Sequence, residues 1–171
     1  MLKKITILFM VVMFGIIPAQ FTGASDSDII REAKDRDEIH ALMWRYVRAL
    51  DSFNGDAYAV VFTEDGQFGT GENAVKGRQA LKKMIDDYRK PREQQAAKGE
   101  AVPPMNHIIT NEYLEFIDKD HARLHSYWMT VFGAVGQDTP PRIAASGRGV
   151  DELVRVNGKW LIKLRDVTPG D

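Results

Sequence analysis

The sequence predicts an α+β domain, a cone-shaped barrel in which three N-terminal helices pack on one face of a curved, mostly antiparallel sheet. Three observations carry this. Apolar residues recur at the helical period at Ile39, Leu42, Met43, Tyr46, Val47 and Leu50. From His107 onward the pattern changes to long strand-like runs separated by the turns Asp118-Lys119-Asp120 and Asn157-Gly158. With the helices first and the strands last, the helices gather on one side of the sheet, and such a sheet curls to leave a conical pocket.

The chain starts with a segment that does not belong to this domain. Lys3 and Lys4 precede an apolar run over residues 5–17, interrupted only by Thr6 and Gly15; Pro18 ends it, and Thr22, Gly23 and Ala24 are small. Residues 1–24 therefore read as a secretory signal peptide, and residues 25–171 as one domain. The run is shorter than the roughly 20 residues of a spanning helix, so a retained anchor is the lesser alternative. The expected location is periplasmic or secreted, with no membrane contact in the mature form.

Composition narrows the partners. Loss of Lys3 and Lys4 moves the formal charge from −1 to about −3, and no basic run remains, so nucleic acid is not an expected partner. The sequence has no cysteine, which excludes disulfides and thiol nucleophiles.

The elements follow in order. Polar residues 25–28 offer N-caps for a long first helix, which Ser52, Phe53, Asn54 and Gly55 stop. A short helix over residues 56–62 buries Tyr58, Val61 and Phe62. Thr63-Glu64-Asp65-Gly66 turns into a short strand over 67–70, and Gly71-Glu72-Asn73 turns the chain back. A third helix over 79–89 points Ala80, Leu81, Met84, Ile85 and Tyr88 inward, and Pro91 ends it. Residues 91–105 read as a long loop. Strands are expected over 108–117, 122–132, 148–156 and 160–167, with a loose connection at 133–147 around Pro140-Pro141.

Alternation in the first long strand puts His107, Ile109, Asn111 and Tyr113 on one face and Ile108, Thr110 and Leu114 on the other. A face that mixes polar and apolar groups suits a ligand cavity. His107 is the candidate general base. Asp51, at the end of the first helix, is either a turn residue or the carboxylate that fixes the tautomer of His107 and raises its basicity. Tyr46 is either core or a buried phenol that donates to developing charge. Five residues turn a helix by about 500°, so Tyr46 and Asp51 converge only if the helix frays at its end.

Arg165 could bind an anionic group, but parity places it beside Lys163, on a solvated edge. Asn111 and Trp128 are further candidate ligand contacts. His125 alternates with Arg123 and Tyr127 without an evident partner, and His40 and His121 read as surface residues. No spacing suits a metal: His121 and His125 lie on a strand, where a separation of four does not aim both at one point. There is no phosphate-binding glycine loop and no serine elbow.

Several of these stretches carry a family resemblance. Asp37-Glu38-Ile39 to Leu50-Asp51, Tyr58 to Gly66, Lys76-Gly77-Arg78 to Leu81, His107 to Asn111 and Asn157-Gly158-Lys159-Trp160 together resemble a SnoaL-like domain of the nuclear transport factor 2-like superfamily. Members such as scytalone dehydratase, hexachlorocyclohexane dehydrochlorinase and bile acid 7α-dehydratase use a histidine–aspartate dyad in the cone, without metal or organic cofactor. The resemblance implies His107 and Asp51 for the dyad, Tyr46 for the tyrosine of the bile acid enzyme and Arg165 for the arginine of the dehydrochlorinase. An acidic residue or histidine midway along the second long strand is missing around Trp128 to Phe132. For activity, the resemblance implies a cofactor-independent lyase or isomerase acting on a small hydrophobic molecule, or a non-catalytic binder on the same scaffold. For assembly, it implies a homodimer or homotrimer.

Overall fold

The computed structural model describes residues 25–136 and 139–170; the expected signal peptide, residues 1–24, lies outside them. The elements are α1 (Asp26–Asp51), α2 (Gly55–Val60), β1 (Phe62–Phe68), a 3₁₀ turn (Gly71–Asn73), β2 (Val75–Lys76), α3 (Arg78–Ala97), β3 (Met105–Phe116), β4 (His121–Phe132), β5 (Arg142–Val156) and β6 (Lys159–Asp166). One six-stranded sheet has the order β2-β1-β6-β5-β4-β3, antiparallel except for the parallel β1–β6 pair. The expected α+β layout is correct.

Helix α1 starts where Ser25 Oγ accepts the Asp28 N–H at 3.2 Å, and Asp26 and Asp28 complement the positive end of its dipole. Ile39, Leu42, Met43, Tyr46 and Leu50 form the buried stripe that lies on the sheet. They meet Tyr58, Phe62, Leu81, Ile85, Leu124, Leu153 and Ile162 in one apolar core. Asp35, also buried, accepts the Trp160 indole N–H at 3.2 Å and pairs with Arg155, which ties α1 to the β5–β6 hairpin. That hairpin turns through Asn157 (φ 51°) and Gly158 (φ 77°), the left-handed pair a two-residue turn requires.

Besides a larger shift in β1 between Phe62 and Gln67, three one-residue irregularities shape the antiparallel part of the sheet. In β3 the pairing with β4 slips between Thr110 and Tyr113, around Asn111 at φ 52°. Opposite β4, the partners of Thr130 and Val131 are Ala145 and Ile143, which leaves Ala144 over. In β6, Leu164 pairs with Glu152 and Ile162 with Leu153, which leaves Lys163 over. Each extra residue bends its strand and reverses the parity of everything beyond it.

Several expected boundaries need correction. Pro91 does not end α3, which continues to Ala97. Beyond the proline, Arg92 lies over the Phe53 ring at 4.7 Å and donates to the Pro103 carbonyl, while Gln95 donates to the Ala101 carbonyl at 3.1 Å. These anchors hold the last turns against the loss of one helical hydrogen bond. The residues expected to turn at 63–66 belong to β1, and the last part of the loose connection at 133–147, from Arg142 on, is the start of β5, paired along β4.

Candidate functional site

The site is built where the end of α1 meets the start of the edge strand β3. His107 sits opposite Thr130 of β4, so its backbone N–H points away from the sheet, toward α1. Asp51, in the last turn of α1, receives it. Its Oδ1 accepts the His107 backbone N–H at 2.9 Å and lies 2.7 Å from Nδ1 of the same residue. A carboxylate oxygen can only accept, so Nδ1 carries a proton, and in the neutral ring held this way the lone pair lies on Nε2. Both side chains are largely shielded from solvent.

His107 also lines a cleft of about 320 Å³ between α1 and β3, with Met43, Trp44, Val47, Ile108 and Ile109 as apolar walls. At its far end His40 Nε2 lies 3.3 Å from Glu112. His40 is exposed, as its sequence position suggests, but it has this acidic neighbour.

Tyr46 does not join the dyad. Helix α1 stays intact through Asp51, so no fraying brings the two residues together. Tyr46 instead packs against Tyr58 (ring centroids 5.3 Å) and Phe62 (6.2 Å), with the Arg165 guanidinium 4.5 Å over its ring. Burial pushes the Tyr46 phenol up, against the pull of Arg165, so it stays protonated.

Arg165 is not on a solvated edge: it is 2 % exposed. The extra residue Lys163 in β6 reverses the alternation, so Lys163 faces out and Arg165 faces into the cone. There it pairs with Asp151 of β5, which is fully buried. Burial works against the arginine's charge, and the Asp151 carboxylate more than offsets this, so its ionisation is held above the ordinary range. Burial pushes the Asp151 carboxyl up while Arg165 pulls it down. Around this pair, Tyr58 Oη, Ser126 Oγ, Asp151 Oδ1 and Arg165 Nε are buried without hydrogen-bond partners. The floor of the cone is thus polar and closely filled.

The remaining candidates separate from the dyad. Asn111 is the exposed residue of the β3 bulge, and beyond it Leu114, not Tyr113, faces inward. Tyr113 is outside, against His125 at 5.9 Å between rings. Trp128 faces inward over Gly147, where a Cβ would come within 2.8 Å of its ring. Its indole N–H is already given to the Arg148 and Val167 carbonyls, at 2.9 and 3.0 Å. Asp151, Tyr58 and Ser126 were absent from the sequence-based candidates. Asp151 supplies an acid inside the cone, on β5 instead of β4.

Among the described residues, no group of three or more histidine or acidic side chains is placed to hold a metal ion, and no helix is long and apolar enough to cross a membrane.

Residues 31–166 match the SnoaL-like domain family. The chain belongs to that family. No curated protein matches its sequence. Among solved structures, this SnoaL-like chain is similar to a Mycobacterium tuberculosis protein of unknown function, with 25% identity and a TM-score of 0.67 over 81% of this chain and 73% of that one. A nuclear transport factor 2-like protein with a cystatin-like fold, from Novosphingobium aromaticivorans, shares 19% identity at TM-score 0.66 over 84% and 88%. A protein of the same organism, provisionally named a scytalone dehydratase, shares 22% identity at TM-score 0.62 over 81% and 85%. The last two likenesses establish the SnoaL-like fold alone.

Proposed function

We propose that this protein is a cofactor-independent lyase or isomerase of the dehydratase type, acting on a small, largely apolar molecule with an acidic C–H. The observation that carries the reading is the double hold of Asp51 Oδ1 on His107. It fixes the imidazole with Nε2 free, the arrangement a general base needs. Nε2 takes the proton from carbon, the C–H electron pair becomes the new π bond, and the leaving group departs with its bonding pair. Asp51 then faces an imidazolium whose charge it stabilises.

In this reading the substrate lies in the cleft beside His107, and Tyr46 and Arg165, which are buried and do not line that cleft, support the site from the core without touching the substrate. Because Asp151 already neutralises Arg165, the site suits a neutral carbonyl or hydroxyl better than a carboxylate. Trp128 offers a ring face and no free N–H, and Asn111 would act only at the rim. The sequence of residues 1–24 supports export to the periplasm or beyond. Apolar residues exposed on the outer sheet face, among them Tyr113, Tyr127 and Ile143, support a homodimer or homotrimer.

A second reading, a non-catalytic small-molecule binder, is favoured by one observation: Met43, Trp44, Val47, Ile108 and Ile109 give the cleft beside His107 apolar walls that hold a ligand without any chemistry. The two readings separate on a panel of β-hydroxy and β-halo carbonyl compounds. Elimination by the wild type that is lost in His107→Ala and Asp51→Asn, with both variants folded, supports the enzyme. Binding without turnover, unchanged in His107→Ala, supports the binder and sinks the catalytic reading.

A further inference from the structure

Two surface features remain that the fold and the dyad do not use, and they complement each other. The first is a groove of about 810 Å³ between α1, α2 and the β5–β6 turn, away from His107. Its floor is apolar, with Leu42, Ala49, Val61 and Leu161, and Val60 on its wall is 57 % exposed. Along its rim stand Arg45, Arg48 and Lys159, and one acid, Glu38, which lies 3.9 Å from Arg155. None of the three has an ion-pair partner among the described residues, whereas Arg31, Lys82, Lys83, Lys90 and Lys163 each lie against an aspartate. Three unneutralised cations beside an apolar trough call for an anionic, amphipathic occupant.

The second feature is the tip of α1. Its first buried residue is Asp35, so more than two turns project before the helix reaches the domain. On this tip Ile29 and Ile30 are both 57 % exposed. At helical spacing Asp26, Ile29, Ile30 and Ala33 share one face, with Glu32 on its flank. Asp26 and Glu32 have no ion-pair partner among the described residues, and Arg31 is neutralised by Asp28. Lys34 lies to the other side of the stripe. The acids of the first turn offset the positive end of the helix dipole, so that end does not repel a basic groove.

We propose that the α1 tip of one copy docks in the α1–β6 groove of a second copy, Ile29 and Ile30 on the apolar floor, Asp26 and Glu32 against Arg45, Arg48 and Lys159. A second copy is favoured over a bilayer surface because the groove is concave and a single exposed aliphatic residue, Val60, stands among its charges, too little to insert. A single small carboxylate would engage one end only. Arg45 and Arg48 alone are separated by about 4.5 Å along the helix axis, and Lys159 joins them from a different element. The contact is heterologous: each copy presents one tip and one groove, so assembly either closes into a ring or grows. It is distinct from any pairing through the outer sheet face.

Sedimentation velocity on the purified protein over a concentration series tests this. The wild type is expected to self-associate more weakly as salt rises. Asp26→Lys/Glu32→Lys and Arg45→Glu/Arg48→Glu are each expected to lose that association, and a chain carrying all four changes to regain it. Ile29→Ser/Ile30→Ser should abolish it without changing the melting temperature, since both residues are exposed. An immobilised Arg45→Glu/Arg48→Glu chain should capture Ile29→Ser/Ile30→Ser through its intact groove, but not capture itself. The proposal is overturned if the charge-swapped chain stays as dispersed as either parent, or if the Ile29→Ser/Ile30→Ser variant assembles like the wild type. Variants of Tyr127 or Ile143 that change the oligomer while the α1 variants do not would assign assembly to the sheet face alone, which also overturns it.

Discussion

One carboxylate oxygen, Asp51 Oδ1, holds His107 at two points: it accepts the backbone N–H at 2.9 Å and lies 2.7 Å from Nδ1. The same contact closes the free edge of β3 and sets the imidazole. Structure and candidate chemistry therefore depend on a single side chain, and removing it has two separable consequences.

The first prediction concerns that contact. Asp51→Ala deletes both hydrogen bonds at a largely shielded site and should cost about 1–3 kcal/mol, at roughly 0.5–1.5 kcal/mol for each bond. Asp51→Asn keeps an acceptor oxygen and should cost less. Urea denaturation measures both changes. In ¹⁵N-resolved NMR of neutral His107, the wild type should carry its proton on Nδ1, and Asp51→Ala should release that preference. A wild type protonated on Nε2 would remove the base from the proposed mechanism.

The buried pair of Arg165 and Asp151 gives the second prediction. Changing either alone, Arg165→Met or Asp151→Leu, leaves an uncompensated buried charge and should destabilise by about 3–5 kcal/mol. The double variant removes both charges and should be far less damaged than the sum of the two. Strict additivity in this double-mutant cycle would mean that the two groups do not interact.

Tyr58 supplies the third. Its hydroxyl is buried without a hydrogen-bond partner, and burial first, then the neighbouring Tyr46 phenol, pushes its ionisation well up. A group raised in the native state contributes stability that is intact below its unfolded value, about 10 for tyrosine, and lost as pH climbs above that. Tyr58→Phe should be close to neutral in stability at pH 7, since it deletes an unsatisfied polar atom. It should also move the alkaline unfolding midpoint to higher pH. A large loss of stability at pH 7 would mean that the hydroxyl is satisfied, by water or by a ligand.

The helical period located α1 and its inward residues, and alternation located β3, β4 and the hairpin, because both patterns are written in consecutive side chains. His107 and Asp51 were legible for a related reason: each stands at an element boundary. Arg165 was misplaced because one leftover residue, Lys163, reverses the parity of β6, whereas Asp151 keeps step with the buried Leu153 and was missed because a lone acid in a strand reads as a solvated position. A bulge has no composition of its own, and a lysine suits either register. Asn111 carried a faint signal, since asparagine tolerates the left-handed conformation it adopts at φ 52°. Parity read through it still sent Tyr113 inward in place of Leu114.

The last prediction comes from Pro91, which the sequence places at the end of α3 and the structure places inside it. A proline there has no N–H to give to the Asp87 carbonyl, and its ring crowds that turn. Replacing it by alanine gains up to about 3 kcal/mol of helix propensity, less the roughly 0.4–1 kcal/mol lost because the unfolded chain becomes freer. Pro91→Ala should therefore stabilise the protein by about 1–2 kcal/mol, read as a higher melting temperature. The opposite result is also informative. The turn beyond the proline carries Arg92, which lies over Phe53 and reaches the Pro103 carbonyl. If Pro91→Ala lowers the melting temperature, the bend at Pro91 is what aims Arg92 at those partners. In that case Arg92→Ala should cost less in the Pro91→Ala background than in the wild type.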